Sequence, residues 1–150
     1  MYKGWKLDLK KFRIYLTEKF LVKKAYLFMG YLRENESMYQ NFRDFGYDLV
    51  FKEVTKDFYE KPKGNVDAEL VLQSAAIDYG NYDKAVIVTG DGDFKCLLEF
   101  LIKRNKYEML LVPNRLKYSN LLGKSVGSKI TFLNRAKEIL ELKRSVQHKH

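Results

Sequence analysis

The chain has 150 residues, a formal net charge of +9, 46% hydrophobic residues and 15% aromatic residues. That length suits one domain, and the apolar content is enough for a core, which excludes a disordered tail protein. The single cysteine, Cys96, excludes a disulfide scaffold and fits a reducing compartment. No stretch reaches the ~18 consecutive apolar residues of a membrane helix. From Met1 to Lys11 there is no apolar signal-peptide segment. The expectation is a soluble cytoplasmic protein without membrane association, whose positive charge suits a polyanion, nucleic acid above all.

Asp8 can cap a helix running to about Phe20, with Leu9, Phe12, Ile14, Leu16 and Phe20 as apolar positions. Val22 to Met29 reads as a strand ending at Gly30. Ser37 to Phe45 reads as a short helix stopped by Gly46, and Tyr47 to Val54 as a second strand. A polar loop with Pro62 and Gly64 follows. Asn65 then caps a helix to about Tyr79. Lys84 to Thr89 is a near-continuous apolar run, as a parallel strand buried on both faces requires. Gly90 to Asp93 turns the chain, and Phe94 to Arg104 is helical. Tyr107 to Val112 is another buried strand, and Ser119 to Val126 a short helix. Lys129 to Leu133 is a last strand, and Asn134 caps a final helix to about Arg144. This alternation predicts an α/β fold with a mainly parallel sheet, built as one domain over residues 1–150.

Ligands of open α/β sheets sit at the carboxyl ends of the strands. There the sequence places Thr89-Gly90-Asp91-Gly92-Asp93-Phe94. Asp91 and Asp93, two apart in an extended segment, point the same way, and Gly92 puts no side chain between them. Two carboxylates in one crevice repel unless a cation joins them, and hard oxygen ligands suit Mg²⁺ or Mn²⁺. The competing reading makes Asp93 the N-cap of the following helix and Asp91 a turn residue. Asp67, in the first turn of its helix, is a third acid; its plain role is to offset the helix dipole.

The stretch from Met109 to Lys137 has no acid but holds Arg115, Lys117, Lys124, Lys129, Arg135 and Lys137. With Tyr118 and Phe132 interleaved, it can track a phosphate backbone and stack bases, or be a solvated face with Phe132 in the core. Gly123-Lys124-Ser125 ends like a P-loop, but Tyr118 stands where the first glycine belongs. Gly90-Asp91-Gly92 begins like a dinucleotide fingerprint, but Lys95 replaces the third glycine. Cys96 reads as a core residue with no nearby histidine, and His148 and His150 fall in a polar tail.

The Gly90-Asp91-Gly92-Asp93-Phe94 element after an apolar strand resembles the signature of NYN domains, which are PIN-like, and the LabA-like subgroup in particular. Lys63-Gly64-Asn65-Val66-Asp67-Ala68-Glu69-Leu70 resembles that family's acidic helix start. Gly4-Trp5-Lys6-Leu7-Asp8, Ala25 to Gly30 and Phe45 to Lys52 follow its usual order. The resemblance spans about residues 4–133, with the final helix at about 134–144. It implies a three-layer PIN-like sandwich and a Mg²⁺- or Mn²⁺-dependent endoribonuclease acting on single-stranded or structured RNA. By matching positions, Asp67, Asp91 and Asp93 are its metal-binding catalytic acids. Arg115, Lys117, Tyr118, Ser119 and Lys124 are the expected nucleic-acid contacts, and Thr89 or Ser119 is expected to assist with water or phosphate. A catalytically inactive RNA-binding or protein-interaction module is the alternative. A Mg²⁺ phosphatase with an Asp nucleophile is disfavoured by Phe94-Lys95.

Relatives open with a central strand carrying Asp-Gly-x-Asn just before the segment matching Gly4-Trp5, and that element does not precede Gly4 here. Near the end they often carry an acid where this chain has Gly127 and Ser128. The expectation is either a piece of a longer active protein or, where these 150 residues are the whole, a strand-wide gap or exposed sheet edges and a homo-oligomer or marginally stable chain.

Overall fold

Asp8 starts the first helix as its side chain dictates, accepting from the backbone N–H groups of Lys10 and Lys11 at 2.9 and 3.1 Å. The structure, a computed structural model, describes residues 5–53, 55–56, 62–63 and 66–143. Helix α1 is Leu9–Phe20 and buries Phe12 and Leu16. Each such burial contributes about 1.5–3 kcal/mol. Strand β1 is Ala25–Tyr31, helix α2 is Glu36–Phe45 and strand β2 is Tyr47–Glu53. Gly46 ends α2 at φ 107°, a left-handed conformation that glycine adopts without strain. β1 and β2 pair in parallel from Ala25↔Tyr47 to Tyr31↔Glu53.

Part of the expected polar loop is a short antiparallel ladder, β3 (Thr55–Lys56) on β4 (Pro62–Lys63). Helix α3 is Asp67–Leu72, and its last turn widens into a π-helical stretch, Gln73–Ile77, closed by Asp78 N–H donating to the Gln73 carbonyl at 2.9 Å. Strand β5 is Ala85–Val88, helix α4 is Lys95–Lys103 and strand β6 is Tyr107–Val112. Helix α5 is Asn120–Val126, strand β7 is Ile130–Phe132 and helix α6 is Lys137–Leu140. β5, β6 and β7 form a parallel sheet in that order.

The period of two along β6 sorts the core. Leu110 and Val112 pack with Phe94, Leu97, Leu98 and Leu101 at α4 and Leu122 of α5. Leu111 points the other way, to Trp5, Phe12, Leu16, Leu133 and Leu140. Helices therefore cover both faces of the sheet, giving the α/β/α layering of a PIN-like sandwich. Ala25 and Leu27 of β1 share the second cluster with Val86 and Val88 of β5. Yet β1 and β5 belong to separate hydrogen-bonded sheets. Each has a strand partner on one edge only among the described residues, and Leu27, Phe28, Met29, Val86 and Val88 remain half-buried.

Three sequence expectations are corrected. Cys96 is exposed, because the buried stripe of α4 runs through Leu97, Leu98 and Leu101 and leaves position 96 outside it. The last helix stops at Leu140, since Leu140 and Leu142 exchange backbone hydrogen bonds with Asp8 and Lys6 at 2.8 and 2.7 Å. Asn134 caps nothing there: it lies inside a 3-10 turn, Leu133–Ala136, and its side chain accepts from Arg115 N–H at 2.9 Å. The Asn65 cap, Gly4, Gly64 and the tail with His148 and His150 lie outside the described residues.

Candidate metal centre

The acidic turn is built by short-range hydrogen bonds at the end of β5. The buried Thr89 hydroxyl accepts from Asp91 N–H at 3.1 Å. Asp91 is extended (φ −85°, ψ 123°), and its Oδ1 accepts from Asp93 N–H at 2.9 Å. Asp91, not Asp93, is thus the cap of the 3-10 turn Gly92–Phe94 that leads into α4. Asp67 opens α3 across from this turn. Asp67, Asp91 and Asp93 each offer a carboxylate oxygen, and these oxygens lie within 4.8 Å of one another. Asp91 and Asp93 are exposed and Asp67 is half-buried. Oxygens bound to one Mg²⁺ at ~2.1 Å sit about 3–4 Å apart, so an all-carboxylate set at this spacing fits a hard divalent cation after a small side-chain adjustment. Glu69 points elsewhere, its Oε1 lying 4.0 Å from Lys52 Nζ.

A cleft of about 650 Å³ opens beside Asp91, walled on the far side by the segment from Pro113 to Ser119. The two walls meet closely. Ser119 N–H donates to the Gly90 carbonyl at 3.0 Å. A Cβ at Gly92 would stand 2.7 Å from Ser119 Oγ, and one at Gly90 3.0 Å from the Lys117 carbonyl. Gly92 is therefore required by this approach, beyond the open access inferred from sequence. Ser119 caps α5, its Oγ accepting from Leu121 N–H at 3.3 Å. Asn114, buried at the end of β6, caps the 3-10 turn Arg115–Lys117 by accepting from Leu116 N–H at 3.0 Å.

Of the expected nucleic-acid contacts, Lys117, Tyr118 and Ser119 line the cleft. Arg115 is exposed on the same turn outside the cleft lining, and Lys124 is exposed on α5, away from it. Phe132 is half-buried, with Tyr118 set edge-on to it at 5.2 Å. Tyr118 itself is held by Gly123, because its phenol oxygen fills the space a side chain at 123 would take. Burial raises the Tyr118 phenol pKa. Sequence reasoning missed Asn114 and Leu116. The asparagine after a strand carried a capping signal, whereas Leu116, 84% exposed on the cleft wall, carried none.

A parallel α/β sandwich with carboxylates converging at a strand end, beside a cleft that Lys117 lines, defines a PIN-like protein. The chain belongs to the NYN domain family, which matches residues 1–125 and is generally nuclease-like. A crystal structure of a protein of unknown function from Vibrio parahaemolyticus shares the fold, with a TM-score of 0.67 at 19% identity, covering 93% of this chain and 85% of that one. No protein of curated function matches the chain. Among the described residues no helix is long and apolar enough to cross a membrane.

Proposed function

We propose that the protein is a divalent-metal-dependent endoribonuclease that hydrolyses RNA phosphodiesters with Mg²⁺ or Mn²⁺. The observation that carries this reading is the convergence of Asp67, Asp91 and Asp93, of which Asp91 lines the cleft. Membership of a generally nuclease-like family supports it. Asp67, Asp91 and Asp93 would hold the cation. A divalent ion there supplies charge to a phosphoryl oxygen and makes water a better nucleophile.

The remaining work falls to the chain's own groups. The Thr89 hydroxyl and the Asp93 amide fix Asp91 before substrate arrives, so its carboxylate needs little reorganisation. Lys117 on the opposite wall sets a positive charge against a backbone phosphate. Ser119 uses its oxygen lone pair on Leu121 N–H, which leaves its proton for a phosphate oxygen. Three carboxylates repel a phosphate, and a bound cation would offset that charge at the point of cleavage.

The test is cleavage of labelled single-stranded RNA with Mn²⁺, with EDTA, and by Asp91→Asn protein. The reading predicts metal-dependent cleavage that EDTA and the substitution both abolish. Folded wild-type protein that binds RNA without cutting it would contradict the reading and favour an inactive binding module.

A further inference from the structure

The longest acid-free run of the chain, Met109 to Lys137, brings two arginines to one ring. The Arg115 guanidinium carbon lies 5.1 Å from the Phe132 ring centroid and that of Arg135 lies 5.9 Å from it. Both are set by local structure. Arg115 sits in the turn capped by Asn114, and its N–H donates to Asn134 Oδ1 at 2.9 Å. Arg135 follows β7 in the turn Leu133–Ala136. The ring they share is fixed in turn by Tyr118 and by the core on its buried side.

Neither arginine has a carboxylate partner among the described residues; the ion pairs there are Arg43–Glu36, Lys52–Glu69 and Lys95–Glu99. Two like charges gathered at one ring repel each other, and an anion between them relieves that repulsion. Stacking on an aromatic ring orients a guanidinium and leaves its in-plane N–H fork for an oxyanion. Phe132 thus serves as the common seat of the two cations.

We propose that Arg115 and Arg135, spread over Phe132, form a phosphate clamp for the backbone of a single-stranded nucleic acid leaving the acidic cleft. The route is continuous: Asp91 and Lys117 face the same cleft, Tyr118 lines it, and Tyr118 abuts the clamp's ring. The clamp rests on the reading of RNA as substrate and extends it to a second contact site. It anchors the strand beside the scissile bond, so its loss raises KM for oligonucleotides and leaves kcat near its wild-type value.

The experiment is fluorescence anisotropy of a labelled oligoribonucleotide in EDTA over a series of salt concentrations. Wild-type protein is compared with the Arg115→Gln/Arg135→Gln variant and with the double Lys variant, and circular dichroism checks each fold. Each phosphate contact on a single strand contributes about 0.7 to the slope of log affinity against log salt. The double Gln variant should lose about 1.4 of that slope and roughly tenfold in affinity. The double Lys variant keeps the charges and should keep the slope. If the double Gln variant melts early, Arg115→Gln and Arg135→Gln singly should each lose about 0.7. An unchanged slope, or wild-type protein that does not bind, overturns the clamp. Clamp-dependent binding by a wild-type protein that never cleaves with Mn²⁺ overturns the ribonuclease reading and leaves the clamp standing.

Discussion

Replacing Gly123 by alanine sets two effects of opposite sign against each other. Gly123 lies inside α5 (Asn120–Val126), where alanine is favoured over glycine by about 0.8–1.0 kcal/mol. Against this, the added Cβ would overlap the Tyr118 phenol oxygen, with ring carbon Cζ next at 3.4 Å. Tyr118 cannot swing away freely, because its ring stands edge-on to Phe132 at 5.2 Å. Losing that contact costs about 0.5–1.5 kcal/mol, and keeping it by overpacking costs about 1–3 kcal/mol. The helix gain should therefore be cancelled or slightly outweighed, leaving the Gly123→Ala protein less stable than wild type by about 0–1 kcal/mol. Tyr118→Phe removes the overlapping oxygen and leaves an ordinary contact. In that background Gly123→Ala should stabilise by about 1 kcal/mol, a coupling of about 1–2 kcal/mol across the cycle. Urea unfolding of the four proteins measures it. An equal stabilisation in both backgrounds would refute the account of why glycine stands at 123.

Other outcomes follow from the same geometry. Leu21, 80% exposed, ends α1 in the left-handed region at φ 58°. Leu21→Gly should raise the unfolding free energy by about 0.5–1 kcal/mol, and a lowered urea midpoint would contradict this. The Asp78 carboxyl is held below its ordinary value, first by the Tyr26 hydroxyl at 2.5 Å and then by Asn81. A depressed folded pKa gives stability that is present above the unfolded value and lost as pH falls through the folded one. Tyr26→Phe should thus flatten the acid-side decline in urea midpoint below about pH 4, and an equally steep decline would contradict it. The edges of β1 and β5 that have no strand partner among the described residues should make the protein associate as concentration rises. A concentration-independent monomer in sedimentation would rule this out.

Where the determinants are local, the sequence was legible. Asp8, Gly46 and the apolar run Tyr107–Val112 act within a few residues, and α1, the end of α2 and β6 fall where those residues put them. Asp91 and Asp93 stand out as candidates because a strand, a turn and a helix start follow one another in the chain, whereas Asp67 joins them by its match to the family pattern. What escaped depends on partners far apart. Asn134 serves Arg115 rather than its own helix, because two turns nineteen positions apart meet at the end of the sheet. The last helix ends early because the backbone around Leu7 completes it with extended pairing. Gly123, which resembled a fragment of a phosphate loop, is a glycine because Tyr118 occupies its side-chain space. The apolar run of β5 predicted burial on both faces, but only Ile87 is buried there, since one edge of the strand has no partner among the described residues.

The central claim is that Asp67, Asp91 and Asp93 make one metal site, and titration of Mn²⁺ followed by electron paramagnetic resonance tests it most directly. The account predicts saturable binding by wild-type protein that weakens about tenfold or more in each of Asp67→Asn, Asp91→Asn and Asp93→Asn, with circular dichroism unchanged. Wild-type protein without saturable binding, or Asn variants that bind as tightly as wild type, would contradict it.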